Sequence, residues 1–188
     1  RLIRLFGLDI QQGAPELADS PFAVRSSAGK IVGTSGGVAE AVYRTLYYRL
    51  TGKQLVNFKV TQMRSNKSTR ELFTKIGKQK IGIAAVNGLQ NAMELISQIK
   101  AGRDDLHFIE VMACPGSCIN GGGQPITQSQ ESLKARMKTL YDIDEKESIK
   151  ASYKNPAVIE LYGKYTGKEK DSFLEKLKTS YQGRDVLL

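Results

Sequence analysis

Between Lys80 and Ala113 the sequence runs apolar, then amphipathic, then apolar again, and that order narrows the fold more than any other feature. Lys80 to Val86 has the length and composition of a buried strand. Asn87 is placed to cap a helix reaching about Lys100, with Leu89, Met93, Ile96 and Ile99 on one face and Ala101-Gly102 closing it. His107 to Ala113 is a second apolar run. A strand, a helix and a strand joined by short connections predict a right-handed crossover in a parallel pairing. The expected fold class is therefore α/β, with one mainly parallel sheet flanked by helices.

The rest of the chain is read around that unit. Arg1 to Leu8 reads as the tail of a helix, and Lys30 to Gly33 as a short strand. From Gly36 a helical period takes over, with Val38, Val42, Leu46 and Leu50 four apart and Ala41 beside them, stopping at Thr51-Gly52. Leu55 to Thr61 alternates like a half-exposed strand, and residues 64–79 read as a polar, basic surface excursion. After Pro125 the character changes to charged helical segments at about 128–141, 155–163 and 168–179, a C-terminal helical tail. Two segments are expected, residues 1–125 and 126–188.

At 188 residues the chain has room for one domain with its own core, or one lobe with an appendage, and too little for a self-contained multi-cluster redox enzyme. Hydrophobic residues make up 40% and charged residues 25%, so burial of a core outweighs any tendency to disorder. The longest apolar runs are strand-sized, far short of the roughly 18–20 residues of a membrane span. Arg1 to Ile10 lacks the pattern of a signal peptide, and a cytoplasmic location is the expectation. The net charge of +9 is spread over the chain without a basic run or interleaved aromatics, so nothing singles out nucleic acid as a partner.

The chemistry is concentrated at the end of the second apolar run. Cys114 and Cys118 are the only two cysteines, four residues apart, followed by Gly121-Gly-Gly123. Ligands gather at the carboxyl ends of strands in α/β sheets. Two thiolates at this spacing suit an iron-sulfur cluster, zinc or copper(I), and the same pair also reads as a thiol redox couple or as structural cysteines. A cluster or structural zinc takes about four protein ligands. His107 is the one other soft donor, so a metal site would have to be completed by another chain.

Phe108-Ile-Glu-Val-Met-Ala-Cys-Pro-Gly-Ser-Cys-Ile-Asn-Gly-Gly-Gly-Gln-Pro125 resembles the third cysteine motif of iron-only (FeFe) hydrogenases. Gly33-Thr-Ser-Gly-Gly-Val-Ala-Glu-Ala41 resembles that family's glycine loop and following helix, and Val86-Asn-Gly88 its next strand end. Arg136 to Asp142 and Asn155 to Gly163 resemble the small-subunit region.

The resemblance implies that Cys114 and Cys118 supply two of the four ligands of the H-cluster, a 4Fe-4S cube bridged by Cys118 to a diiron subsite. It implies that Met112 packs beside that subsite, with Gly33, Ser35 and Gly36 lining the cavity. The implied activity is reversible oxidation of hydrogen. The implied partners are a chain carrying the N-terminal hydrogenase lobe and iron-sulfur electron carriers or a ferredoxin. The alternative is a hydrogenase-like iron-sulfur scaffold, sensor or assembly protein without turnover. The sequence departs from the family in lacking the first two cysteine motifs and the lysine that holds a cyanide ligand. It also has Ser35 for Thr, Ser117 for Gly, Val32 for an aromatic and Lys178 for His. Glu110, one strand step from Met112, reads equally as a proton carrier or a backbone acceptor.

Overall fold

The structure, a computed structural model, describes residues 2–19, 24–55, 63, 68–124, 129–164, 175, 178 and 180. Its helices and strands follow in the order α1 (Leu2–Leu5), α2 (Ala28–Ile31), α3 (Gly37–Thr51), β1 (Thr69–Ile76), β2 (Gln79–Asn87), α4 (Leu89–Lys100), β3 (Phe108–Met112), α5 (Gln130–Lys146) and α6 (Pro156–Lys164). No described helix is long and apolar enough to cross a membrane.

The fold is α/β and the strand order is β1-β2-β3. β2 and β3 run parallel, with Ile83 opposite Phe108 and Asn87 opposite Met112, and α4 makes the connection that the apolar pattern predicts. β1 pairs antiparallel to β2, so the sheet is mixed. β2 is apolar from Ile81 to Val86 because both of its faces are covered there. Ile81, Ile83 and Ala85 join Ala39 and Tyr43 of α3, Met63 and Ile76 on one side. Ala84 and Val86 meet Ala92 and Leu95 of α4 on the other.

Several elements differ from their sequence reading. The polar stretch 64–79 contains β1, because the turn at Gly77, with φ of 61°, folds it back onto β2 from Ile76↔Gln79 to Thr69↔Val86. The stretch looked like an excursion because an edge strand keeps polar groups on its open side. Residues 28–31 are helical rather than a strand at 30–33, fixed by Lys30 N and Ile31 N donating to the Ser27 carbonyl. On α3 the fully buried face is Gly37, Ala39, Glu40, Tyr43 and Arg44, whereas Val38, Val42 and Leu46 are half-buried and Leu50 is exposed. Tyr43 and the Glu40–Arg44 pair displaced the aliphatic stripe.

On α4 the buried residues are Ala92 and Leu95, while Leu89, Met93, Ile96 and Ile99 are all exposed. The helix is capped by Gly88, at φ 84°, not by the Asn87 side chain. The strand expected at Leu55–Thr61 lies outside the described residues apart from Leu55, as does the helix expected at 168–179 apart from residues 175 and 178.

The tail packs back onto the sheet domain. Ser129 caps α5 by accepting from Ser132 N at 3.1 Å, and Asn155 caps α6 by accepting from Ala157 N at 2.9 Å. Asp144 of α5 accepts from Arg44 Nη1 and Nη2 at 2.8 and 2.6 Å, and from Ser27 Oγ at 2.5 Å. Arg44 also donates to Glu40 at 2.6 Å. Burial penalises the Asp144 anion more than any single contact favours it, but the bonds from Arg44 and Ser27 together with Arg44's charge hold its carboxyl below the usual range.

Candidate metal centre

β3 delivers the cysteines. The strand stops at Met112 and the chain turns at once, with Ser117 N donating to Cys114 O at 3.0 Å and Gly121 N to Cys118 O at 3.1 Å. Cys118 opens a short 3-10 helix to Asn120, and both thiols are free and exposed. Gly116 sits at φ 80°, where a Cβ would lie 3.0 Å from Asn120 Cβ and 3.2 Å from Leu133 Cδ2, so only glycine fits the bend. Ser117 follows at φ 69° and ψ −170°, a region that is nearly glycine-only, although it carries a side chain and is 2% exposed.

The glycine loop lies against this turn. Ile119 N donates to the Gly33 carbonyl at 3.2 Å, tying the two segments together directly after Cys118. Glu110, in the middle of β3, accepts from Gly36 N and Ala39 N at 2.7 Å each and so closes the first turn of α3. Burial pushes its carboxyl up, against the opposing pull of those backbone bonds and of Arg70's charge. Of the two roles open to Glu110, the backbone acceptor is the one the geometry displays.

Ser35 is held from the other side. Arg70 of β1 donates to its carbonyl at 3.1 Å, to its hydroxyl, and to the Met63 carbonyl at 2.5 Å. Gly36 is locked at φ 89°, with no room for a Cβ beside the Met63 carbonyl, 2.6 Å away. Gly33 packs under Leu140 and Ile119. Met112 is half-buried, and its carbonyl accepts from Gly88 N at 2.7 Å.

Behind the turn lies a cavity of about 280 Å³. Ser35, Asn87, Gly116, Ser117, Leu133 and Met137 contribute to its wall, so β2, the glycine loop, the cysteine turn and α5 all border it. α5 also reaches the turn through Arg136, which donates to the Ile119 carbonyl at 2.8 Å.

His107 is at the far end of β3 from the cysteines, with its Nδ1 accepting from Gly82 N at 3.1 Å. It is a structural histidine and no co-ligand of the cysteine pair. Among the described residues no group of three or more His, Cys, Asp or Glu side chains is arranged to hold a metal. The donor set among the described residues is therefore two exposed thiols, half of what a 4Fe-4S cluster requires. Arg70 was not singled out from sequence, and Asn87 only as a helix cap. The signal for Arg70 was Glu110 itself, an acid in the apolar strand Phe108–Met112 that needs compensation when buried.

Comparison with known proteins bears on this geometry. Residues 1–122 match the family model of the iron only hydrogenase large subunit, C-terminal domain, and residues 130–184 that of the iron hydrogenase small subunit. The chain is 38% identical over 169 residues to the NADP-reducing hydrogenase subunit HndD of Solidesulfovibrio fructosivorans, covering 89% of this chain and 29% of that protein. It is 34% identical to iron hydrogenase 1 of Clostridium pasteurianum, covering 80% and 27%. It is also 31% identical to cytosolic iron-sulfur assembly component 3 of Rattus norvegicus, covering 79% and 31%. Among solved structures, apo [FeFe]-hydrogenase HydA1 from Chlamydomonas reinhardtii superposes with a TM-score of 0.65 at 29% identity, covering 90% of this chain and 49% of that one. The chain thus spans under a third of these curated relatives and about half of that solved hydrogenase.

Proposed function

The chain belongs to the iron-only hydrogenase family, and on that footing we propose that it is one half of a hydrogenase whose H-cluster lies at the interface with a second, N-terminal lobe. The observation that carries this reading is the Cys114–Cys118 turn. Two free thiols are exposed at the carboxyl end of a parallel strand, against a glycine loop, with no further soft ligand beside them among the described residues. Soft thiolate donors suit an iron-sulfur centre, and two of them fit a centre shared between chains.

In this reading Cys114 and Cys118 are the ligands from this side, and Cys118 is the one shared with a diiron subsite. When bound, the group supplies the redox centre and open iron position that hydrogen chemistry needs. This chain's own part is to hold the two thiols on a rigid turn and to keep Met112, Gly33, Ser35 and Gly36 around it. Residues 1–125 form the lobe and 126–188 the small-subunit-like segment, of which α5 reaches the turn through Arg136. The proposed setting is cytoplasmic, with iron-sulfur carriers or a ferredoxin as electron partners.

A second reading is supported by the likeness to a cytosolic iron-sulfur assembly component, whose name describes assembly and no turnover. There the same turn would hold a 4Fe-4S cluster alone. Both readings are tested by purifying the native complex anaerobically, identifying every chain in it, and recording its infrared spectrum in the CO and CN stretching region. Bands that respond to hydrogen, with a partner carrying the missing cysteine motifs, uphold the first reading. Bound iron without such bands rejects it in favour of the second.

A further inference from the structure

The cavity behind the cysteine turn has a chemical character of its own. Its wall carries the hydroxyls of Ser35, Ser68 and Ser117 and the carboxamides of Asn87, Asn91, Asn120 and Gln130, and no acidic or basic side chain. Asn87 is 8% exposed, and its Oδ1 is buried without a hydrogen-bond partner among the described residues. A buried acceptor left unmade is costly and is normally met by a donor. No charged side chain lines the wall, so an ion gains no direct counter-charge there. The site therefore selects a small neutral donor. Its volume of about 280 Å³ far exceeds the roughly 10–15 Å³ that a single water requires.

We propose that this cavity is a water site, in which an ordered cluster anchored on Asn87 Oδ1 links the amides and hydroxyls of the wall to the back of the cysteine turn. Two neighbours set its geometry. The Asn87 backbone carbonyl accepts from Asn91 Nδ2 at 2.6 Å, so that amide is engaged with the main chain and not with the Asn87 side-chain oxygen. Gly88 N is taken by the Met112 carbonyl and so does not serve Asn87 Oδ1. The cluster would give the turn a polar backing whether or not its thiols carry iron, so this inference stands or falls independently of the hydrogenase reading.

The test uses the full chain in its native complex and has two readouts. In a high-resolution crystal structure, solvent density within hydrogen-bond distance of Asn87 Oδ1 and of at least one more wall group is expected. An empty cavity, or one filled by a protein side chain or an organic molecule, overturns the proposal. Independently, Asn87→Leu removes the anchor and intrudes on the water volume. A wet cavity predicts a lower Tm, because the remaining wall groups lose their partners. A dry one predicts a higher Tm, because an orphaned acceptor has been replaced by a packed side chain, and that outcome also overturns it.

Discussion

At the scale of the residue, Ser117 and Glu110 carry opposite lessons about the cysteine turn. Ser117 holds φ 69° and ψ −170° with a side chain present. Conformations of this kind cost on the order of 1–3 kcal/mol for a non-glycine residue, partly offset by the extra chain entropy that glycine loses on folding. Ser117→Gly is therefore expected to raise stability by about 1 kcal/mol, read as an increased urea midpoint at unchanged m-value. A lower midpoint would mean that the serine side chain contributes more than its backbone costs. Glu110 works the other way, since its two oxygens satisfy Gly36 N and Ala39 N, both 2.7 Å away. Glu110→Ala leaves those donors buried and unmet, and a loss of about 2–3 kcal/mol is expected. Glu110→Gln keeps one acceptor oxygen and should recover part of it in the same urea titration.

At the scale of the element, α5 is joined to the sheet domain through a buried ion pair. Arg44 and Asp144 have side chains 10% and 7% exposed, and Glu40 completes the group. Breaking one partner of such a pair typically costs about 3–5 kcal/mol, because the other charge is left buried. Asp144→Ala should therefore release α5 or unfold the chain, seen as a fall in Tm. The pH dependence has a defined sign. Asp144's folded carboxyl lies below its ordinary value of 3.8, so its contribution is complete above that value and is lost as pH falls through the folded one. Asp144→Asn should accordingly flatten the acid limb of a stability profile measured below about pH 4, a window set by that ordinary value. A limb as steep as the parent's would assign acid unfolding to other groups.

The same scale shows what was legible in the sequence. The β2-α4-β3 unit was readable because a strand covered on both faces is apolar throughout and a crossover helix must follow it. β1 was not, since Arg70, Glu71 and Lys75 look like surface and only the hairpin at Gly77 assigns them to a strand. The buried face of α3 was misread because periodicity counts Val38, Val42 and Leu46 and passes over Glu40 and Arg44, which are buried because Arg44 pairs with Glu40 and with Asp144, 100 residues away. The cysteine turn was legible as chemistry through its motif. The contacts that hold it, from Arg136 to the Ile119 carbonyl and from Ile119 N to the Gly33 carbonyl, join segments distant in the chain and leave no local signature.

For the whole molecule, the question is whether this chain can hold a cluster unaided. Its two thiols are exposed on one turn, its histidine is at the other end of β3, and no third ligand joins them among the described residues. A 4Fe-4S cube is held by about four protein ligands, so two thiolates leave the remaining irons open to solvent and to competing thiols. Reconstitution of the chain alone with iron and sulfide is expected to give a cluster that is lost on desalting. The native complex should retain iron stoichiometrically, and Cys114→Ser or Cys118→Ser within that complex should lower the retained iron at least several-fold while the chains still copurify. A four-iron cluster stable in the isolated chain would sink the shared-ligand arrangement, because its further ligands would then have to come from residues of this chain itself.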